Sequence, residues 1–354
     1  LPGARLIHAD EERQPSLRMT DDHNSRANVH LTLAIGDYDH VRDLVSGEVQ
    51  VQGVDLTCMR FSVEETFFRF ARFREWDISE FSMAKYCSLR AAGDESLTAI
   101  PAFPSRSFRH AAIFVRSDGP VDDPGALAGA RIGVPEWTQT ATVYARGLLQ
   151  HQYGLDLREV QWFQGGTNEP GRIEGIKLDP PPGFSLTPVA DKSLNDMLLA
   201  GELDAVIAAH APDEFDSGSG KVVRLFSDYR AEEEAYYRDT GVFPIMHVVA
   251  LRRDVHDAHP WVAMNLYTAF REAKCRAVER ALDTNAPRYP VPWSPANAQR
   301  AQELFGDDFW PYGIEDNRTT LDAFLGFAHE QGACTKRLTP DDLFPDEVKA
   351  EFRI

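Results

Sequence analysis

The run Val242–Leu251 (VFPIMHVVAL) constrains the fold more than any other stretch of this chain. Ten residues of this character read as a central strand, covered on both faces of its sheet. The run arrives late, after two successive series of strand and helix patterns. If it pairs with Ala111–Val115, the chain passes between two lobes twice, once near residue 116 and once near residue 242. At 354 residues the chain also exceeds the roughly 250–300 at which single cores divide.

The first series has strand patterns at Val29–Ile35, Val54–Phe61, Asp77–Phe81, Leu97–Phe103 and Ala111–Val115, with helices at Glu64–Phe73 and Met83–Ala92. Gly119-Pro120 and Asp122–Gly125 then mark a linker. The second series has strands at Ile132–Val134, Val160–Phe163, Asp204–Ala209 and Val222–Phe226, and helices at Tyr144–Tyr153, Ser193–Leu199 and Glu232–Arg238. Residues 175–188, which include Pro180-Pro181-Pro182-Gly183, read as a surface flap. Beyond Leu251 the pattern is mostly helical. Alternating strands and helices imply α/β lobes. The expected architecture is a two-lobed venus-flytrap with two crossover strands and a helical C-terminal region. Residues 29–115 and 243–354 form lobe I, 116–242 form lobe II, and 1–28 read as a disordered or appended leader in which Met19 is a natural start. The ligand cleft then lies between the lobes, at the carboxyl ends of strands.

A net charge of -18 argues against nucleic acid or an anionic membrane as partner, because both need basic surface. It also makes any gathering of arginines conspicuous. The four cysteines (Cys58, Cys87, Cys275, Cys334) are far apart and match no metal-ligand spacing, which suits a reduced, cytoplasmic protein. No apolar run reaches the length of a membrane span, and no export signal is visible. The sequence leaves homo-oligomer formation open.

Within the second series, ARIGVPEWTQTAT (130–142) turns from a short strand into a Thr-rich helix start. Unpaired N–H groups and the positive helix pole favour an anion there, although an ordinary αβ turn capped by Thr138 explains the same residues.

Several blocks resemble the 4,5-dihydroxyphthalate decarboxylase family: FPSRSFRHAAIFVR, GVPEWTQTATVYARGLL, GGTNEPGR, LAGELDAVIAAHAP, GVFPIMH, and YGIEDNRTTLDAF followed by HEQG. The resemblance runs from about residue 31 to 345. It implies a type II periplasmic-binding-protein-like fold and removal of one carboxylate from a dihydroxylated phthalate to give protocatechuate. The implied partner is a small aromatic carboxylate. The rival reading is a non-catalytic solute-binding protein for an aromatic or sulfonated anion.

An aromatic ring releases carbon dioxide most readily after protonation at the carbon bearing the carboxylate, and a para hydroxyl stabilises the resulting cation. No electron-sink cofactor is required, and none is expected. Arg106 and Arg109 are the expected carboxylate clamp, since guanidinium forks match carboxylates, with Arg172 as a weaker case that Glu169 could neutralise. His110 is the first choice of general acid and His247 the second, with His210 third. Glu136 is expected to take a hydroxyl proton or orient a histidine, and Trp137 to stack on the ring. Thr138, Gln139, Thr140 and Thr142 are expected donors from the second lobe, and Ser82 from the first. Asn317 and Arg318 match the resemblance but sit at a helix start, where they can be structural. No metal site is expected.

Overall fold

The computed structural model describes residues 28–175 and 181–349, so all but Asn28 of the expected leader lies outside the described residues. Its strands are β1 (Val29–Ala34), β2 (Val54–Met59), β3 (Ile78–Ser82), β4 (Leu97–Ile100), β5 (Ile113–Arg116), β6 (Arg131–Val134), β7 (Gln161–Gln164), β8 (Ser185–Pro188), β9 (Ala205–Ile207), β10 (Val222–Arg224) and β11 (His247–Arg252). They form a five-stranded sheet ordered β2-β1-β3-β11-β4 and a six-stranded sheet ordered β10-β5-β9-β6-β7-β8. Each sheet is mixed, with one strand running against the rest, and is covered by helices, as the near-continuous apolar strands require. The two-lobed α/β architecture is therefore present.

Two expectations need correction. The late apolar run does form a central strand, but β11 lies antiparallel between β3 and β4, with His247 opposite Ser82. It does not pair with Ala111–Val115. That segment supplies β5, which is antiparallel to β9 and β10 and so belongs to the second sheet. The two passages do meet, five residues earlier than expected, through the antiparallel bridge Arg106–Ile245. Met246 N–H donates to Ser105 O at 2.8 Å, and Ser107 N–H to Pro244 O at 3.2 Å. The physical reason is Pro244, which has no N–H and ends the ladder on that side. Lobe I thus gives up its last expected strand.

The second correction concerns the expected flap. Residues 176–180 lie outside the described residues, but Ser185–Pro188 is β8, a parallel edge strand paired with β7. Pro188 is tolerated there because it ends an edge strand.

The C-terminal region does not simply return to the first lobe. The helix Trp261–Leu282 packs against β4 and the turn Asp39–Val41. The helix Arg318–Glu330 instead packs on the helix Thr140–His151 of the second lobe, with Tyr144 and Phe324 rings 4.8 Å apart. Gly147 permits that approach, since a Cβ there would lie 2.4 Å from the Phe327 ring. From the same tail, Ala333 O accepts the Ser88 hydroxyl of the first lobe at 2.5 Å. The tail ties both lobes together.

Candidate active site

The ends of β1, β3 and β6 and the start of β11 converge where the two sheets face each other. Ser82 ends β3 and caps the helix Met83–Ala91 through its hydroxyl. Thr140 begins the helix Thr140–His151, whose N-cap is Gln139 and not Thr138. The Ser82 and Thr140 hydroxyls lie 3.0 Å apart, and Thr140 Oγ1 accepts the Ala84 N–H at 3.0 Å. Two helix N-termini, one from each lobe, therefore point at the same place. Each brings the positive end of its dipole, so the junction favours an anion.

Beside them stands His247, opposite Ser82 in the ladder. Its Nδ1 lies 2.6 Å from Glu80 Oε1. A carboxylate only accepts, so Nδ1 carries the hydrogen and Nε2 is the nitrogen left for other work. Glu80 is 1% exposed, yet it remains a carboxylate. Burial alone would raise its pKa, but the hydrogen bonds and charge of His247, the Tyr38 hydroxyl (2.6 Å) and the Gly36 N–H (2.8 Å) outweigh burial and hold it below the ordinary value. The Tyr38 phenol is pushed well above its usual range, first by burial and then by the Glu80 charge. Phe67 meets the His247 ring edge-on at 4.8 Å and fixes its tilt. This is a carboxylate–histidine pair with a locked tautomer, on rigid strands.

Cations gather on the other side of the same junction. Glu136 accepts from Arg172 Nε and Nη2 at 2.9 and 2.7 Å, and pairs with Lys85 Nζ at 2.9 Å. Lys85 belongs to the first lobe, so this pair crosses the junction. A second pair crosses it at the rim, between His210 Nε2 and Glu64 Oε1 at 2.9 Å, with both partners largely exposed. Such an exposed pair is worth little by itself.

The structure thus brings His247, Ser82, Thr140, Gln139, Glu136, Arg172 and, at the rim, His210 to one junction. Glu136 holds two cations there, and among the described residues no hydrogen bond or ion pair joins it to a histidine. The other expected residues lie elsewhere, and each has a physical reason. Arg106 is buried and spends its guanidinium on Phe243 O (2.9 Å), Pro311 O (2.6 Å) and the Asn317 amide, between the rings of Phe103 and Phe243. Burial pulls its pKa down to about 10. It fastens both passages to the tail and presents no free fork. Asn317 has the matching structural role. Arg109 donates to the Met246 sulfur at 3.2 Å and is likewise pulled to about 10 by burial.

His110 has no exposed surface. Its Nε2 meets the Gln152 amide oxygen at 3.0 Å inside a cage of Tyr153, Phe226 and Tyr236. Trp137 is also sealed, with its indole N–H on Gln331 O at 2.8 Å and Arg146 lying 3.7 Å over its ring. Thr142 returns its hydroxyl to Glu136 O and Gln139 O, both at 2.8 Å. Thr138 gives its N–H (3.1 Å) and its hydroxyl to the Glu174 carboxylate.

Sequence reasoning missed Glu80, Tyr38 and Lys85. A signal existed for the first, since ISEFS places a carboxylate inside a strand whose five residues are all buried. A lone charge there demands partners. Tyr38 and Lys85 follow strand ends, as many surface residues do, and offered no such signal.

The fold is a two-lobed α/β arrangement of the periplasmic-binding-protein-like kind, with two helix N-termini meeting at the interlobe junction. The periplasmic aliphatic sulphonate binding protein of Escherichia coli superposes with a TM-score of 0.50 over 91% of this chain and 99% of that one, at 11% identity. Sequence comparison narrows the class. The 4,5-dihydroxyphthalate decarboxylase of Comamonas testosteroni is 38% identical over 329 residues, 93% of this chain and 100% of that protein. The Pseudomonas putida protein of the same name is 41% identical over 211 residues, 59% of this chain and 82% of that protein. No protein-family model matches the chain. The chain belongs to the 4,5-dihydroxyphthalate decarboxylase family.

Proposed function

We propose that this protein is a carboxy-lyase that converts 4,5-dihydroxyphthalate to protocatechuate and carbon dioxide at the interlobe junction, with His247 as the proton donor. The observation that carries the chemical assignment is the 2.6 Å contact between His247 Nδ1 and the buried Glu80 carboxylate. Such a carboxylate stabilises the imidazolium and leaves Nε2–H to be delivered. The two carboxylates of the substrate sit at the paired helix N-termini, against the Ser82 and Thr140 hydroxyls and the cations Arg172 and Lys85.

The proton passes from Nε2 to the ring carbon that bears one carboxylate. Charge that develops on the ring is taken by the hydroxyl para to that carbon. The carbon–carboxylate bond then breaks, its electron pair restores the aromatic ring, and carbon dioxide leaves. Neutral His247 regains its proton from solvent. The protonated ring, stabilised by its para hydroxyl, accepts that electron pair, so the reaction as written calls on side chains for binding, orientation and one proton. The reading includes a cytoplasmic location, supported by the free thiols of Cys58, Cys87, Cys275 and Cys334.

The test is to incubate the purified protein with 4,5-dihydroxyphthalate and follow carbon dioxide and protocatechuate together. Stoichiometric appearance of both is expected. Tight binding without turnover would instead make the chain a solute-binding protein for an aromatic anion.

A further inference from the structure

The turn after β1 delivers two donors to one carboxylate. Tyr38 N–H donates to Gly36 O at 3.0 Å, which folds the segment Gly36-Asp37-Tyr38 back on itself. The Gly36 N–H then reaches Glu80 Oε2 at 2.8 Å, and the Tyr38 hydroxyl reaches Glu80 Oε1 at 2.6 Å. A side chain at position 36 would disturb both, because a Cβ there would lie 2.7 Å from the Tyr38 ring and 3.1 Å from Glu80 Oε2.

His247 Nδ1 meets the same Oε1 at 2.6 Å, and the Tyr38 hydroxyl stands 3.5 Å from that nitrogen. The carboxylate only accepts, so both hydrogens point at Oε1 and share its charge. The Gly36 N–H holds Oε2 from the backbone side, so His247 is not offered an oxygen of its own. Burial and the Glu80 charge keep the phenol protonated, and it therefore stays a donor. Its hydrogen bond reduces the negative charge that Oε1 presents to the imidazolium.

Among the described residues, the side chains bonded to or stacked on the His247 ring are Glu80, Tyr38 and Phe67. Beyond Tyr38, the His40 ring lies 5.3 Å from the phenol ring, and burial lowers its pKa to about 4, so it is neutral at neutral pH. The Tyr312 phenol, which also feels the Glu80 charge, is pushed well above its usual range by burial. Lys85 and Arg172, the cations of the junction, are paired with Glu136. Glu80 and its donors therefore dominate the field at His247.

We propose that Tyr38 is a positioning residue which, by drawing charge from Glu80, sets how readily His247 releases its proton. The inference rests on His247 as the proton donor of the reaction proposed above. Without the phenol, Glu80 would hold the imidazolium more tightly and slow its proton transfer.

NMR titration of the His247 ring follows this link without substrate, and the pH profile of kcat follows it in turnover. In Tyr38→Phe, which keeps the ring and removes the hydroxyl, the His247 midpoint is expected to rise by about one pH unit. The basic limb of kcat moves up with it, and the plateau falls roughly three- to tenfold with KM unchanged. Gly36→Ala, which displaces the phenol, moves the midpoint the same way. Glu80→Gln moves it down, because the charge itself is gone. Should Gly36→Ala fail to fold, the opposite signs of Tyr38→Phe and Glu80→Gln decide the matter. A midpoint that stays or falls in Tyr38→Phe, or a kcat loss with an unmoved limb, would overturn the proposal. Absence of turnover in the unaltered protein would strike the decarboxylase reading alone, since the NMR midpoints still decide the link from Tyr38 to His247.

Discussion

His247 and His110 stand on the two passages between the sheets, and their local sequences, PIMH and SFRH, look equally suited to proton transfer. Their surroundings are opposite. His247 has a carboxylate on Nδ1, an exposed edge of 16% and helix N-termini beside it. His110 has an amide on Nε2, an unpartnered Nδ1 and a closed aromatic cage, and burial lowers its pKa. One environment sets a carboxylate against the ring nitrogen, and the other surrounds the ring with aromatic side chains and an amide. The arginines divide in the same way. Arg172 faces a carboxylate at the junction, whereas both Arg106 Nη atoms are taken by carbonyl and amide oxygens in the crossover core. A cation or histidine becomes a reagent only where its charge is both supported and reachable.

Breaking this contrast at its strongest point should have the largest effect. His247→Gln is expected to lower kcat by about 10²–10⁴ with little change in KM, whereas His110→Gln should keep kcat and lose stability instead. Steady-state carbon dioxide release and a thermal melt of both variants check this, and equal kcat losses would erase the distinction. Glu80→Gln removes the counter-charge but keeps the shape, and a kcat loss of about a hundredfold is expected. The arginines sharpen the contrast between binding and folding. Arg172→Ala should raise KM about tenfold, while Arg106→Ala should cost about 2–4 kcal/mol of unfolding free energy through orphaned carbonyls, read by urea denaturation.

The smallest expected effect is on pH dependence. Burial holds His40 at about 4 and lowers His110, so the unfolded chain binds more protons than the folded one below the ordinary histidine value of 6.5. Stability is complete above that value and declines as the pH falls toward about 4. Urea midpoints at pH 7 and pH 5 should show the decline, and His40→Gln should flatten it.

Much of the architecture was legible before any coordinates. Strand and helix periodicity separated two α/β lobes, and the apolar run at 242–251 announced a returning central strand, because burial on both faces leaves a continuous apolar signature. Local chemistry also marked the Ser82 cap and a helix start following the 130–142 stretch, although its cap proved to be Gln139 and not Thr138. The partner of that strand was not legible. A strand of Val, Ile and Ala pairs equally well with several neighbours, and pairing is settled by which edges are still open when the lobes assemble. The fate of the polar residues was decided at the same level. FPSRSFRH and VPEWTQTAT are both rich in polar residues, and only the packing of both lobes and the tail turned Arg106, His110 and Trp137 into the core. The Glu80–His247 pair joins residues 167 positions apart. Sequence alone determined that cations, histidines and helix ends would be available. Tertiary structure decided which of them kept their charge, because desolvation and partner geometry depend on what the whole chain brings alongside.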